Sequence, residues 1–127
     1  MKSVNSKVVI NQMAINHIKK NACVALEQTG DYLLDEVVQA EVIPFDKGTL
    51  QDESTYVNKD NSNSGLVRII SSRPYARRLY YHPEYNFKTD KNANAKGKWF
   101  DDWTEKGNKS HEIKKAFSLL LKKRIGE

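Results

Sequence analysis

AINHIKKNACVALEQTGDYLLDEVVQA, from Ala14 to Ala40, is the stretch that decides the fold. Ala14, Ile18, Ala22, Ala25, Leu26, Thr29, Leu33, Val37 and Ala40 recur at the i, i+3, i+4 spacing of one buried helical stripe. Lys19, Lys20, Glu27, Asp31, Asp35 and Glu36 fall on the opposite, wet face. The spacing predicts a single helix from about Val9 to Glu41, about 30 residues and roughly 45 Å long. Gly30 inside it costs about 1 kcal/mol relative to Ala, and marks a bend or a close contact with another element. Pro44 closes the segment, because the residue before a proline is biased away from helix.

Beyond the helix, Val42-Ile43-Pro44-Phe45-Asp46-Lys47-Gly48-Thr49-Leu50 brings Pro, Asp and Gly together as a tight turn requires. Glu53–Val57 and Leu66–Ser71 read as strands around a polar tip at Asn58–Gly65, the pattern of a β-hairpin with a long, flexible tip. Arg73–Tyr81 reads as a short helix opened by Pro74, with Tyr75 and Leu79 on one face and Ala76 and Tyr80 on its neighbour. His82–Lys98 is polar and without period, and is expected to be a mobile loop. Trp99-Phe100-Asp101-Asp102-Trp103 spaces two tryptophans i, i+4, so that one helical turn would set both on the same surface. Ser110 caps a last helix striped by Ile113, Ala116, Phe117, Leu120, Leu121 and Ile125. Lys122, Lys123 and Arg124 crowd its final turn, where cations complement the helix dipole, and Gly126 ends it. The expected fold is α+β: a long N-terminal helix and a C-terminal helix packed on a small antiparallel β-sheet with a long hairpin. One domain covers residues 1–127, with 1–8 a flexible N-terminus and 82–98 the mobile loop.

Composition bounds the function. The chain has 127 residues, 39% of them apolar and 29% charged, enough for one lean core. Charged residues interrupt every apolar run well short of the roughly 20 residues a membrane span needs. The N-terminal Met1-Lys2-Ser3-Val4-Asn5-Ser6-Lys7 lacks the apolar region of a signal peptide, and a lone Cys23 forms no internal disulfide. Membrane, secretory and disulfide-stapled classes are therefore not expected. Charge is divided: residues 1–67 carry a balance of −3 and residues 68–127 a balance of +8. A basic half invites nucleic-acid binding, but composition alone favours the plainer reading of a solvated basic helix plus a charged loop.

Catalytic chemistry finds little support. His17, His82 and His111 lie far apart and none has metal-ligand spacing to Cys23, which sits among apolar neighbours like a buried thiol. The glycines form no phosphate loop. Asp101, Asp102 and Glu105 are one tight acidic cluster; a Mg²⁺-dependent nuclease would need further ligands and a base, and the start of a short helix explains the acids more simply. No cofactor, metal or enzymatic activity is expected. Arg68, Arg73, Arg77 and Arg78 interleave with Tyr75, Tyr80 and Tyr81, an arrangement that grips single strands. The competing reading has these tyrosines packed on the first helix and the arginines paired with its acids, Asp31, Asp35 and Glu36.

In this order the long helix with its Pro44–Leu50 turn, the polar-tipped hairpin running into Pro74-Tyr75-Ala76-Arg77-Arg78-Leu79-Tyr80-Tyr81, and Trp99-Phe100-Asp101-Asp102-Trp103 before a basic helix resemble the minor capsid proteins of tailed bacteriophages from Gram-positive hosts. These are similar to the wider head–tail connector and tail-completion proteins of the HK97 neck type. The resemblance spans about residues 9 to 125. It is carried by Pro44, Asp46, Gly48 and Leu50, by Pro74, Tyr75 and Ala76, and by Trp99 and Phe100; Lys47 before Gly48 and Thr49 after it depart from the family's Thr-Gly order.

The resemblance implies a non-enzymatic virion protein, a ring-forming component that joins head to tail in the phage neck and assembles in the host cytoplasm. Its implied partners are neighbouring copies of itself and the adjacent head-closure (portal-side) and tail-terminator proteins. The motif residues, with Tyr80 and Trp103, are the expected subunit or partner contacts. Arg68, Arg73, Arg77 and Arg78 would meet packaged DNA, without sequence preference, or acidic surfaces of neighbouring rings. A free-standing, sequence-independent nucleic-acid-binding protein is the alternative, and an acidic-cluster nuclease comes third.

Overall fold

A computed structural model describes residues 12–45 and 48–126. Asp46, the start of the first helix near Val9 and the 1–8 extension lie outside the described residues. The first helix, α1, spans Gln12–Gln39, and the chain leaves it through Glu41, whose φ of 58° is left-handed. The break therefore precedes the expected stop at Pro44. A π-helical turn at Thr49–Glu53 leads into β1, Thr55–Asn58, which pairs antiparallel with β2, Arg68–Ser71. The register sets Thr55 opposite Ser71 and Asn58 opposite Arg68. A short helix α2, Ala76–Tyr80, and a C-terminal helix α3, Ser110–Arg124, complete the expected α+β order of helices packed on a small antiparallel sheet.

The ladder is shorter than the sequence suggests because side chains take over at both ends. At its base, Thr55 donates its hydroxyl to the Leu50 carbonyl at 2.6 Å, and the Ser72 hydroxyl donates to the Ser54 carbonyl at 3.2 Å. At its tip, Ser62–Ser64 form a 3₁₀ turn that docks on α1 instead of standing free. Ser62 is buried and donates to the Glu27 carboxylate at 2.6 Å, and Lys59 pairs with Asp31 at 2.9 Å. These polar residues look solvated in the sequence because their partners lie about 30 positions away, on a helix face that itself reads as wet.

The hairpin approaches α1 most closely at Gly30. A Cβ there would lie 2.8 Å from Val67 Cγ1 and 3.0 Å from Val57 Cγ1, so the two valines occupy the space a side chain would need. Of the bend and the close contact read from Gly30, the contact is what the structure contains.

The core lies under the C-terminal half of α1. Val37, Val42, Ile43, Leu50, Ala76, Trp99 and Trp103 are buried together, with Leu33, Leu79, Tyr80, Phe100 and Ile113 packed around them. α3 runs antiparallel to α1: Ile113 packs on the core beside Leu33, and Arg124 Nε reaches Asn21 Oδ1 at 3.3 Å. None of its residues is fully buried. Ser110 does not cap this helix; it is the first helical residue, follows Lys109 and makes no capping bond.

The expected one-turn tryptophan helix is instead a tight turn followed by a 3₁₀ turn at Asp101–Trp103. The 82–98 loop divides. Residues 82–91 are exposed apart from Phe87. Residues 92–98 are stitched down: buried Asn92 donates to the Ile43 carbonyl at 2.8 Å and to Gln51 Oε1 at 2.7 Å, and Asn94 and Lys96 N–H groups bond the Glu41 and Val42 carbonyls.

Gly30→Ala will gain helix propensity but overlap the valines. Its effect on urea unfolding will be more favourable by about 1 kcal/mol in a Val67→Ala background than in the native one. Equal effects in both backgrounds would contradict the close crossing.

Candidate partner-binding surface

Exposed arginine and aromatic side chains concentrate at and just after α2. Ser72 and Arg73 fix its approach, since Arg73 donates Nε to Ser54 Oγ at 2.7 Å and lies 3.7 Å from the Glu53 carboxylate. Pro74 then opens the turn, and Ala76, too small to hold the helix off, is buried against the core. Leu79 and Tyr80 follow it inward. The Tyr80 ring stands edge-on to Trp99, with centroids 4.8 Å apart, and its hydroxyl donates to Asp101 Oδ1 at 3.0 Å. Partial burial first, then that hydrogen bond and the Asp101 charge, push the Tyr80 phenol well above its ordinary range.

The outward side is different. Pro74, Arg77, Arg78, Tyr81 and His82 line one shallow depression. Among the described residues neither Arg77 nor Arg78 has an ion-pair partner. Tyr81 is 62% exposed and Tyr75 43%. The His82 ring stacks on Tyr85 with centroids 4.8 Å apart and planes 7° from parallel. His82 Nδ1 lies 2.7 Å from Glu84, and that hydrogen bond holds the Glu84 carboxyl below its ordinary range.

The four arginines are thus separated in role. Arg73 braces the foot of the hairpin, Arg68 stands at the tip end of the ladder opposite Asn58, and Arg77 and Arg78 share the depression. The expected pairing of arginines with the acids of α1 does not occur among the described residues: Asp31 is taken by Lys59, and the arginine contacts of the structure go to Ser54, Glu53 and Asn21. Nor do Tyr75 and Tyr81 pack on α1, being exposed.

The residues expected at subunit contacts divide as well. Gly48, Leu50, Ala76, Trp99 and Trp103 are buried inside the subunit, so they hold the domain together and present no surface to a partner. Large aromatics beside a gap between α1, α2 and α3 fill it, which local spacing cannot reveal. Gly48 has φ 82° and is buried against Phe45, and Leu50 beyond it lies in the core. Pro74 and Tyr75 remain exposed, and Pro44, Tyr80 and Phe100 half-buried. The sequence reading missed His82 and Tyr85; two rings three positions apart beside a proline were the available signal.

The acidic cluster is already engaged. Asp101 accepts from Tyr80, and Asp102 pairs with Lys96 at 3.2 Å. No group of three His, Cys, Asp or Glu side chains that could hold a metal ion occurs among the described residues. His17 is held to Asn21 one turn along α1, and Cys23 is half-buried. No described helix is long and apolar enough to cross a membrane. Comparison with protein-family models, curated proteins and solved structures finds no match to the chain.

Tyr80 gives this region a pH signature. Below the ordinary tyrosine pKa of 10.0 its hydroxyl is protonated in folded and unfolded chains alike, and the bond to Asp101 is fully present. Above that pH the unfolded chain ionises while the folded one keeps its proton, so stability falls as pH rises toward the folded value. Tyr80→Phe will cost about 0.5 kcal/mol at neutral pH, a partly solvated hydrogen bond, and will flatten the alkaline decline in urea midpoint. Parallel declines in the two proteins would contradict this assignment.

Proposed function

We propose that the chain is a structural virion protein of the phage neck, a ring-forming head–tail joining component with no enzymatic role. The observation that carries this reading, beside the ordered motifs, is the projection of α1. Arg124 at the end of α3 reaches α1 only at Asn21, and every residue from Gln12 to Lys20 is exposed. The projecting part is about 13 Å long. Its side chains continue the apolar stripe of the packed helix: Ile15 is 36% exposed and Ile18 50%. A subunit that finishes its own core and still extends a rigid, partly apolar rod suits a ring in which each copy reaches the next.

The implied partners are neighbouring copies, a head-closure or portal-side protein and a tail terminator, with the virion neck as the location. In a lysate of phage deleted for this gene, negative-stain microscopy will show filled heads beside separate, finished tails. Mostly emptied heads would make the protein the plug that retains DNA. Normal numbers of complete virions would overturn the joining role.

A further inference from the structure

Arg77, Arg78, Tyr81, His82 and Tyr85 form one continuous outward strip. The first four border the same depression, and Tyr85 extends it through its stack on His82. Tyr75, next to Pro74 of that depression, is a further exposed ring. Lys98, exposed and tied through its N–H to the Tyr80 carbonyl at 2.8 Å, brings a further cation to α2. The one carboxylate in the strip, Glu84, is occupied by His82.

An arginine pair with no acid beside it, set among exposed rings, satisfies two requirements at once. Guanidinium groups recognise phosphate oxygens, and flat rings take nucleobases face to face. An acidic protein surface would use the arginines but would leave Tyr75, Tyr81 and Tyr85 without a role. A duplex would do the same, because its base faces are already stacked on one another. We infer that this strip binds single-stranded polynucleotide, with Arg77 and Arg78 on the phosphates and Tyr81 and the His82–Tyr85 stack as base platforms. Nothing on the strip distinguishes one base from another, so binding is independent of sequence. The inference goes beyond the neck reading and does not depend on it.

Anisotropy of labelled oligothymidylate and oligouridylate, each titrated with the full chain at low salt, tests it; a matched duplex is the comparison. Both single strands will bind more tightly than the duplex, and affinity will fall steeply with salt. Arg77→Glu with Arg78→Glu will abolish binding. Tyr81→Ala will weaken it about tenfold, and Tyr81→Phe will retain it. All of these side chains are exposed, so circular dichroism will report a native fold. Arg68→Glu, at the tip end of the hairpin, changes net charge equally to a single Arg77→Glu and will cost far less. A duplex bound as tightly as the single strands, equal losses for Arg68→Glu and Arg77→Glu, or no binding at low salt would each overturn the inference. Loss of self-association without loss of oligonucleotide binding in the Arg77, Arg78 variant would assign the arginines to an acidic protein surface instead.

Discussion

Everything in this subunit is arranged around the crossing of the hairpin over α1 at Gly30. Where Val57 and Val67 press on a residue without a side chain, strand backbone and helix backbone come closer than any other residue would permit. That contact anchors the hairpin near the middle of a 28-residue helix. Glu27, one turn before it, and Asp31, the next residue, then receive Ser62 and Lys59 from its tip. With the hairpin fixed, its base delivers the chain to α2 beside the last turns of α1, and Trp99 and Trp103 fill the remaining space. The buried indole N–H groups of both tryptophans lack hydrogen-bond partners among the described residues. Each such group opposes folding by about 1–3 kcal/mol, and burial of the two large aromatic surfaces outweighs that cost.

This arrangement also divides α1 into two functional lengths. The part from Asn21 onward is packed by α3, the hairpin and the core. The part before it, from Gln12 to Lys20, is an exposed length of helix. Helical periodicity is blind to that division, since the apolar spacing runs unbroken from Ala14 to Ala40. What ends the packed region is the length of α3, which reaches back only as far as Asn21.

The elements themselves were legible in the sequence. Each of the helices and both strands announces itself through period and turn residues that act over a few positions. The long-range polar bonds were not. Ser62 to Glu27, and Asn92 to Ile43 and Gln51, start from segments whose local setting is that of a solvated loop, and they turn expected free segments into docked ones. The tryptophans were ambiguous for a related reason: an aromatic cluster has the same local pattern whether it faces a core or a partner. The structure places Trp99 and Trp103 inside and leaves Tyr75 and Tyr81, on either side of α2, and His82 and Tyr85 of the following loop outside. The accessible surface is therefore a different set of residues from the one that carries the family resemblance. Among the described residues that carry that resemblance, only Pro74 and Tyr75 are exposed.

If the Gly30 crossing organises the domain, protection should follow it along a single helix. Amide hydrogen exchange of the full chain tests this most directly. The amides from Ala25 to Val37 will exchange slowest, close to the rate set by global unfolding, and those from Gln12 to Lys20 will exchange by local fraying, orders of magnitude faster. Uniform protection from Gln12 to Gln39, or fastest exchange around Gly30, would contradict the account.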